Sequence, residues 1–325
     1  MTSRERVNAV LNGKKPDRIP FNFWMDRNLM AELDKKLGEE FRINHYGADV
    51  YESFFGFDFN CGLSAAHESD HKTSWQLKPA LESMENIHKL KFPDIKEGDR
   101  SFFANLINDR KRFKDVALFA MCVTPFEAFL GLRMMENAMM DIYDYPDEVK
   151  YYLNETGRRI CALVKQLKDY DVDVLYLAGD LCSSKGLMFS PDVIREFAFE
   201  PVREVIKEAH KQGLKVFYHS DGNLADILPI YLEYGFDGIN PLQPHVNDSA
   251  EFKRKYSGKL MLYGGIDNCF AIPDSDVRGV KKHILSQYEI LGKNGGLIFS
   301  SHDIPDYVKL ENVDMMVKTI KEIKV

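Results

Sequence analysis

The feature that most constrains this chain is an alternation, kept up over most of its 325 residues, of short apolar β-prone runs with amphipathic helical stretches. Strands separated by crossover helices must lie parallel, because a tight turn can only join antiparallel neighbours. Strand candidates fall at 19–24, 49–55, 116–123, 172–178, 215–218, 237–242, 260–263 and 296–299. Helices are expected at 27–37 before Gly38, at 124–170 with a break near Tyr145-Pro146, and from Ser190-Pro191-Asp192 to 211. Further helices follow at 225–234, 249–256, 276–291 and 311–323. Eight such units in one chain fit a closed barrel better than an open doubly wound sheet. A dinucleotide-binding sheet would also require a GxGxxG turn, which the sequence lacks. The expected fold is therefore α/β, a single (β/α)8 TIM barrel domain over 1–325. It carries an N-terminal helical extension, capped by Thr2 and Glu5 in capping-box spacing, and a long loop after the second strand.

That loop, 57–98, is polar and contains His67, Asp70, His71 and Trp75, so it reads as either a functional cover or a poorly ordered segment. The methionine-rich run at 134–140 reads as helix packing. A formal charge of -7 and a pI near 5.8 give no basic footprint for nucleic acid. No run is long enough for a membrane span, and the N-terminus is a charged helix start rather than a signal peptide, which points to a cytoplasmic protein. Five scattered cysteines with no CxxC pair argue against a disulfide framework and a thiolate zinc finger.

In a parallel barrel the residues just past each strand meet around one mouth. Here they are Glu127 after the third strand, Asp180 after the fourth, and His219 with Asp221 after the fifth, in the stretch Lys215-Val216-Phe217-Tyr218-His219-Ser220-Asp221-Gly222. Asn240 and Gln243 follow at the sixth, Asp267 at the seventh, and His302 with Asp303 at the eighth. Imidazole and carboxylate donors suit a divalent ion of zinc type, and His219, Asp221 and His302 are the expected ligands, leaving one position open. Singly, each has a plainer reading: a lone histidine is more often a hydrogen-bonded structural residue, and Asp221 before Gly222 suits a turn. Together, at equivalent positions, they favour the metal. Of the other histidines, His45, His88, His210 and His283 are expected to face solvent, His67 and His71 sit in the long loop, and His245 after Pro244 is left open.

These residues carry a resemblance to the uroporphyrinogen decarboxylase superfamily, in particular to its branch of zinc-dependent, corrinoid-linked methyltransferases. It runs from Pro16-Asp17-Arg18-Ile19-Pro20 through Phe126-Glu127, Glu136-Asn137, Gly186-Leu187-Met188-Phe189-Ser190-Pro191 and His219-Ser220-Asp221-Gly222-Asn223. It continues in Gly238-Ile239-Asn240-Pro241-Leu242-Gln243, Gly264-Gly265-Ile266-Asp267 and Ser301-His302-Asp303-Ile304. The decarboxylase itself carries an arginine-rich grip for substrate carboxylates after its first strand, whereas here that stretch holds the single Arg27. The methyltransferase branch carries cysteines where this chain has Asp221 and His302, which implies a harder, more Lewis-acidic metal. The resemblance thus implies transfer of a methyl group from a small methoxy- or methylamine-type donor to the cobalt of a separate corrinoid protein. Zinc would be held by His219, Asp221 and His302, with Glu127 as a possible extra ligand. Asp180, as general acid or as the group that orients substrate, and Asp267 would be the catalytic carboxylates, with Asp267 also lining the pocket beside the substrate-binding Asn240, Gln243 and Glu127. Two other readings stand beside it: a metal-independent lyase of the decarboxylase type, for which only Lys185 and Arg133 supply cations near the strand ends, and a catalytically silent ligand-binding barrel.

Overall fold

The computed structural model describes residues 1–69, 74–293 and 295–325; Asp70 and His71 lie outside them. In chain order the strands are β1 (Val50–Phe54), β2 (Ala66–Ser69), β3 (Ser74–Lys78), β4 (Ala117–Val123), β5 (Val174–Ala178), β6 (Cys182–Ser183), β7 (Gly186–Leu187), β8 (Lys215–His219), β9 (Gly238–Asn240), β10 (Met261–Gly265) and β11 (Leu297–Ser300). Seven of them form one parallel sheet in the order β1-β4-β5-β8-β9-β10-β11.

The expected first strand closes this sheet into a barrel. Segment 19–25 bridges β11 through Phe21 to Phe299 and continues through Met25 to Ile304. Asn22 N–H donates to Phe299 O at 2.9 Å, and on the other side Asp49 N–H donates to Phe21 O at 2.7 Å. Pro20 has no N–H to give, and between the two bridges four residues of this segment face five after Phe299, so the ladder is interrupted rather than continuous. With this segment the structure is a (β/α)8 barrel.

Strand periodicity sorts the side chains. Alternate residues Ala117, Phe119, Val174, Tyr176, Phe217, Tyr263 and Ile298 fill the barrel, while Leu118, Ala120, Leu175, Leu177, Val216 and Tyr218 pack outward against the helical layer. The N-terminal helix, Ser3–Leu11, has the expected capping box at Thr2 and Glu5. It plugs the end of the barrel away from the mouth, adding Val7, Val10 and Leu11 to the interior cluster. Beside it Arg6 and Arg18 both bind the fully buried Asp49, at 2.7 Å each, and Asp49 also accepts the Phe21 N–H at 2.9 Å.

Several elements differ from expectation. The long passage is not loop throughout, since β2 and β3 form an antiparallel hairpin within it. The helix from Ser190 is interrupted by a wide turn over Ile194–Phe199 and a tight one over Glu200–Val202 before resuming as Arg203–Lys211, because Pro201 cannot continue the hydrogen-bond ladder. A second break interrupts 124–170 at Met134, whose φ is +66°. In the methionine run, Met135 and Met139 pack against the core but Met140 is exposed. Among the described residues no helix is long and apolar enough to cross a membrane.

A candidate metal centre at the barrel mouth

His219 ends β8 with its ring on the inward side, the same side as Phe217 below it. Its orientation is set by Asn240, the last residue of the neighbouring β9. Asn240 Nδ2 donates to Tyr263 O at 2.6 Å, which turns Asn240 Oδ1 towards His219 Nδ1, 2.8 Å away. The Tyr176 hydroxyl donates to that same oxygen at 2.5 Å and lies 3.1 Å from His219 Nδ1. An acceptor against Nδ1 assigns the ring proton there, so Nε2 keeps its lone pair for another partner.

Past the strand the chain turns sharply, and two side chains hold the turn. Asp221 N–H donates to Asp180 Oδ1 at 2.9 Å, and Gly222 N–H donates to Gln243 Oε1 at 2.8 Å. Gly222 has φ of +95°, and a Cβ there would sit 2.5 Å from Ser183 O, so glycine is required on both counts. The turn brings Asp221 Oδ2 within 3.2 Å of His302 Nδ1, and the two imidazoles lie 5.0 Å apart at 37°. One donor atom each from His219, Asp221 and His302 lies within 4.8 Å of the others. Asp221 Oδ1 is buried and has no hydrogen-bond partner. A buried carboxylate oxygen left unpaired beside two imidazoles is the environment a divalent cation would satisfy, and the donor set fits zinc.

The electrostatics follow from burial. Desolvation raises the Asp221 pKa; His302 and His219 oppose this, while Asp180 and Asp303 add to it. Glu127 sits in the first turn of the helix Pro125–Arg133, capped by Thr124, and its Oε2 accepts the Asp180 N–H at 3.1 Å. Burial raises its pKa, and the Asp180 charge raises it further. Asp180 Oδ1 lies 3.8 Å from His219 Nε2.

The structure therefore gathers His219, Asp221 and His302, with Asp180 beside His219 Nε2 and Glu127 behind Asp180. Asn240 and Gln243 are buried, with their amides turned to His219 and to Gly222. Asp267 belongs to another group. Its Oδ1 accepts the N–H of Cys269 and of Phe270, and it clusters with His245 and Cys269. His283 corrects an expectation: it is half-buried rather than solvent-facing, its Nε2 accepts the Asp267 N–H at 3.1 Å, and burial lowers its pKa. His45, His88 and His210 are exposed as expected, and His67 is exposed on β2. Arg133 is buried in an ion pair with Asp141 at 2.6 Å and also binds Leu81 O, while Lys185 is exposed.

Three partners were not visible in the sequence. Tyr176 reads there as one more strand residue, yet register puts it one inward position below Ala178, which pairs with His219. Tyr263 gives its carbonyl to Asn240 and its hydroxyl to Glu52. Glu52 is itself a buried carboxylate inside the barrel that accepts from Asn22 Nδ2 at 2.9 Å and Trp24 Nε1 at 3.2 Å.

Fold and site together define a (β/α)8 barrel with a cation-ready donor set at its mouth. Residues 65–323 match the family described as Uroporphyrinogen decarboxylase (URO-D), and the chain belongs to that family. A methyltransferase from Methanosarcina mazei has a similar fold over 99% of both chains, with a TM-score of 0.74 at 16% identity. A B12-independent methionine synthase from Shewanella sp. W3-18-1 is more distant, with a TM-score of 0.45 and 11% identity over 71% of this chain and 67% of that one. A comparison with curated proteins finds no match.

Proposed function

We propose that the chain is a zinc-dependent methyltransferase that moves a methyl group from a small methoxy- or methylamine-type donor to the cobalt of a separate corrinoid protein. The observation that carries this reading is the prepared donor set, with His219 Nδ1 occupied by Asn240 and Asp221 Oδ1 buried without a partner. Zinc held by His219, Asp221 and His302 would supply Lewis acidity at the heteroatom of the donor. The protein's own groups do the rest. Cleavage of the methyl–heteroatom bond leaves an oxygen or nitrogen that must take up a proton, and Asp180, at the same face of His219, is placed to deliver it. Glu127 lies behind Asp180 and is the carboxyl whose buried setting favours keeping a proton. Asn240, Gln243 and Tyr176 hold the imidazole and the turn in place, so the donors need no rearrangement.

Membership of the decarboxylase family does not favour the lyase reading, because gripping a polycarboxylate needs a cluster of cations at the mouth. Arg133 is committed to Asp141 and Leu81 instead. The test is methyl-cobalamin formation from a panel of methyl ethers and methylamines with a supplied corrinoid protein. Turnover of at least one donor, lost in His302→Ala, is expected. Inertness of the zinc-loaded protein towards every donor would overturn the reading.

A further inference from the structure

Around the mouth from His219, a second set of donors has no part in the proposed methyl transfer. His245 lies in the loop after β9, and Asp267 and Cys269 in the loop after β10, and one donor atom of each lies within 4.8 Å of the others. Cys269 is a free thiol, partly buried. Asp267 is buried, and its Oδ1 caps the turn by accepting two backbone N–H groups, which gives that oxygen an ordinary structural task. The turn leaves His245 unexplained. His245 Nδ1 is shielded from solvent and has no hydrogen-bond partner, although it approaches Asp267 Oδ1 to 3.4 Å. The ring meets Phe270 edge-on at 5.8 Å, so its position between the loops is fixed by packing. Next to Asp267, the buried Asn268 Oδ1 is also unpartnered. A shielded imidazole nitrogen that makes no hydrogen bond is costly unless an absent partner completes it.

We propose that His245, Asp267 and Cys269 form a second metal site that takes a borderline-soft divalent cation of zinc type. An imidazole, a carboxylate and a thiolate together carry two negative charges, which one divalent ion neutralises, and three protein ligands leave a position open. The site differs in kind from that of His219, Asp221 and His302, because it contributes sulfur where the other has only nitrogen and oxygen. It ties the loop after β9 to the loop after β10. The inference stands whichever reaction the mouth performs.

Cobalt(II) distinguishes the two sites, because only thiolate ligation gives an intense near-ultraviolet sulfur-to-cobalt charge-transfer band. Metal-stripped full-length protein, titrated with cobalt, is expected to bind two equivalents and to develop that band. His302→Ala should bind one equivalent and keep the band; Cys269→Ser should bind one and lack it. His245→Gln, which keeps the thiol, should weaken cobalt binding at the band by about tenfold or more. A single equivalent with no band in wild type would overturn the proposal. So would a band that survives in Cys269→Ser, or one that disappears in His302→Ala, which would assign the thiolate to the first centre. In wild type, a single equivalent with the band intact would count against the methyltransferase reading and leave this site standing.

Discussion

Asn240 tests the site at the scale of one residue, since it determines which nitrogen of His219 is free. Asn240→Leu keeps the side-chain size but removes both the acceptor for His219 Nδ1 and the donor to Tyr263 O. Zinc affinity at the His219 centre, measured by chelator competition, should fall about 10- to 100-fold while the circular dichroism of the fold persists. Unchanged affinity would mean that Asn240 does not set the tautomer. Glu127 gives a pH test. Its folded pKa lies above the ordinary 4.5, so the native state holds its proton at pH values where the unfolded chain has released it. Its stabilising effect is therefore complete below about 4.5 and is lost as pH rises through the folded value. Thermal melts should show wild type losing stability relative to Glu127→Gln as pH climbs from 4.5, then levelling off; a flat difference would contradict the shift. Of the residues involved, His219, Asp221 and His302 were legible in the sequence because each lies at or just past the end of a strand. Tyr176 and the role of Asn240 were not, because they depend on inter-strand register. His245 and Cys269 were not either, because the approach of two loops leaves no periodic trace.

At the scale of elements the turn after β8 is the most constrained piece. Gly222→Ala would place a methyl group 2.5 Å from Ser183 O in a backbone conformation that alanine rarely adopts. A loss of about 1–3 kcal/mol is expected from urea unfolding, together with weaker zinc binding, since Asp221 rides on the same turn. An unchanged urea midpoint would show that the turn relaxes freely. The element pattern shows what sequence periodicity carries. The helices Arg27–Leu37 and Ser249–Tyr256 fall at the expected bounds, since caps and apolar spacing agree in both. The β2–β3 hairpin escaped notice because a polar, largely exposed ribbon lacks the apolar alternation that marks a buried strand.

For the whole molecule the barrel and its first strand were legible from the count of strand-helix units, but the polar network that holds that strand in place was not. Segment 19–25 is held between β11 and β1 partly by Asp49, a buried carboxylate bound by Arg6, Arg18 and the Phe21 N–H. Asp49→Ala leaves two arginines facing each other without their shared partner, and a loss of about 3–5 kcal/mol is expected from denaturant unfolding. A loss below about 1 kcal/mol would show that closure does not depend on this network. The central claim, that the mouth of this barrel is a metal centre, is tested most directly by zinc content. Mass spectrometry on untagged wild type beside His219→Ala and His302→Ala should find one equivalent of zinc fewer in each variant than in wild type. Equal zinc in all three proteins, folded and reconstituted alike, would contradict the account.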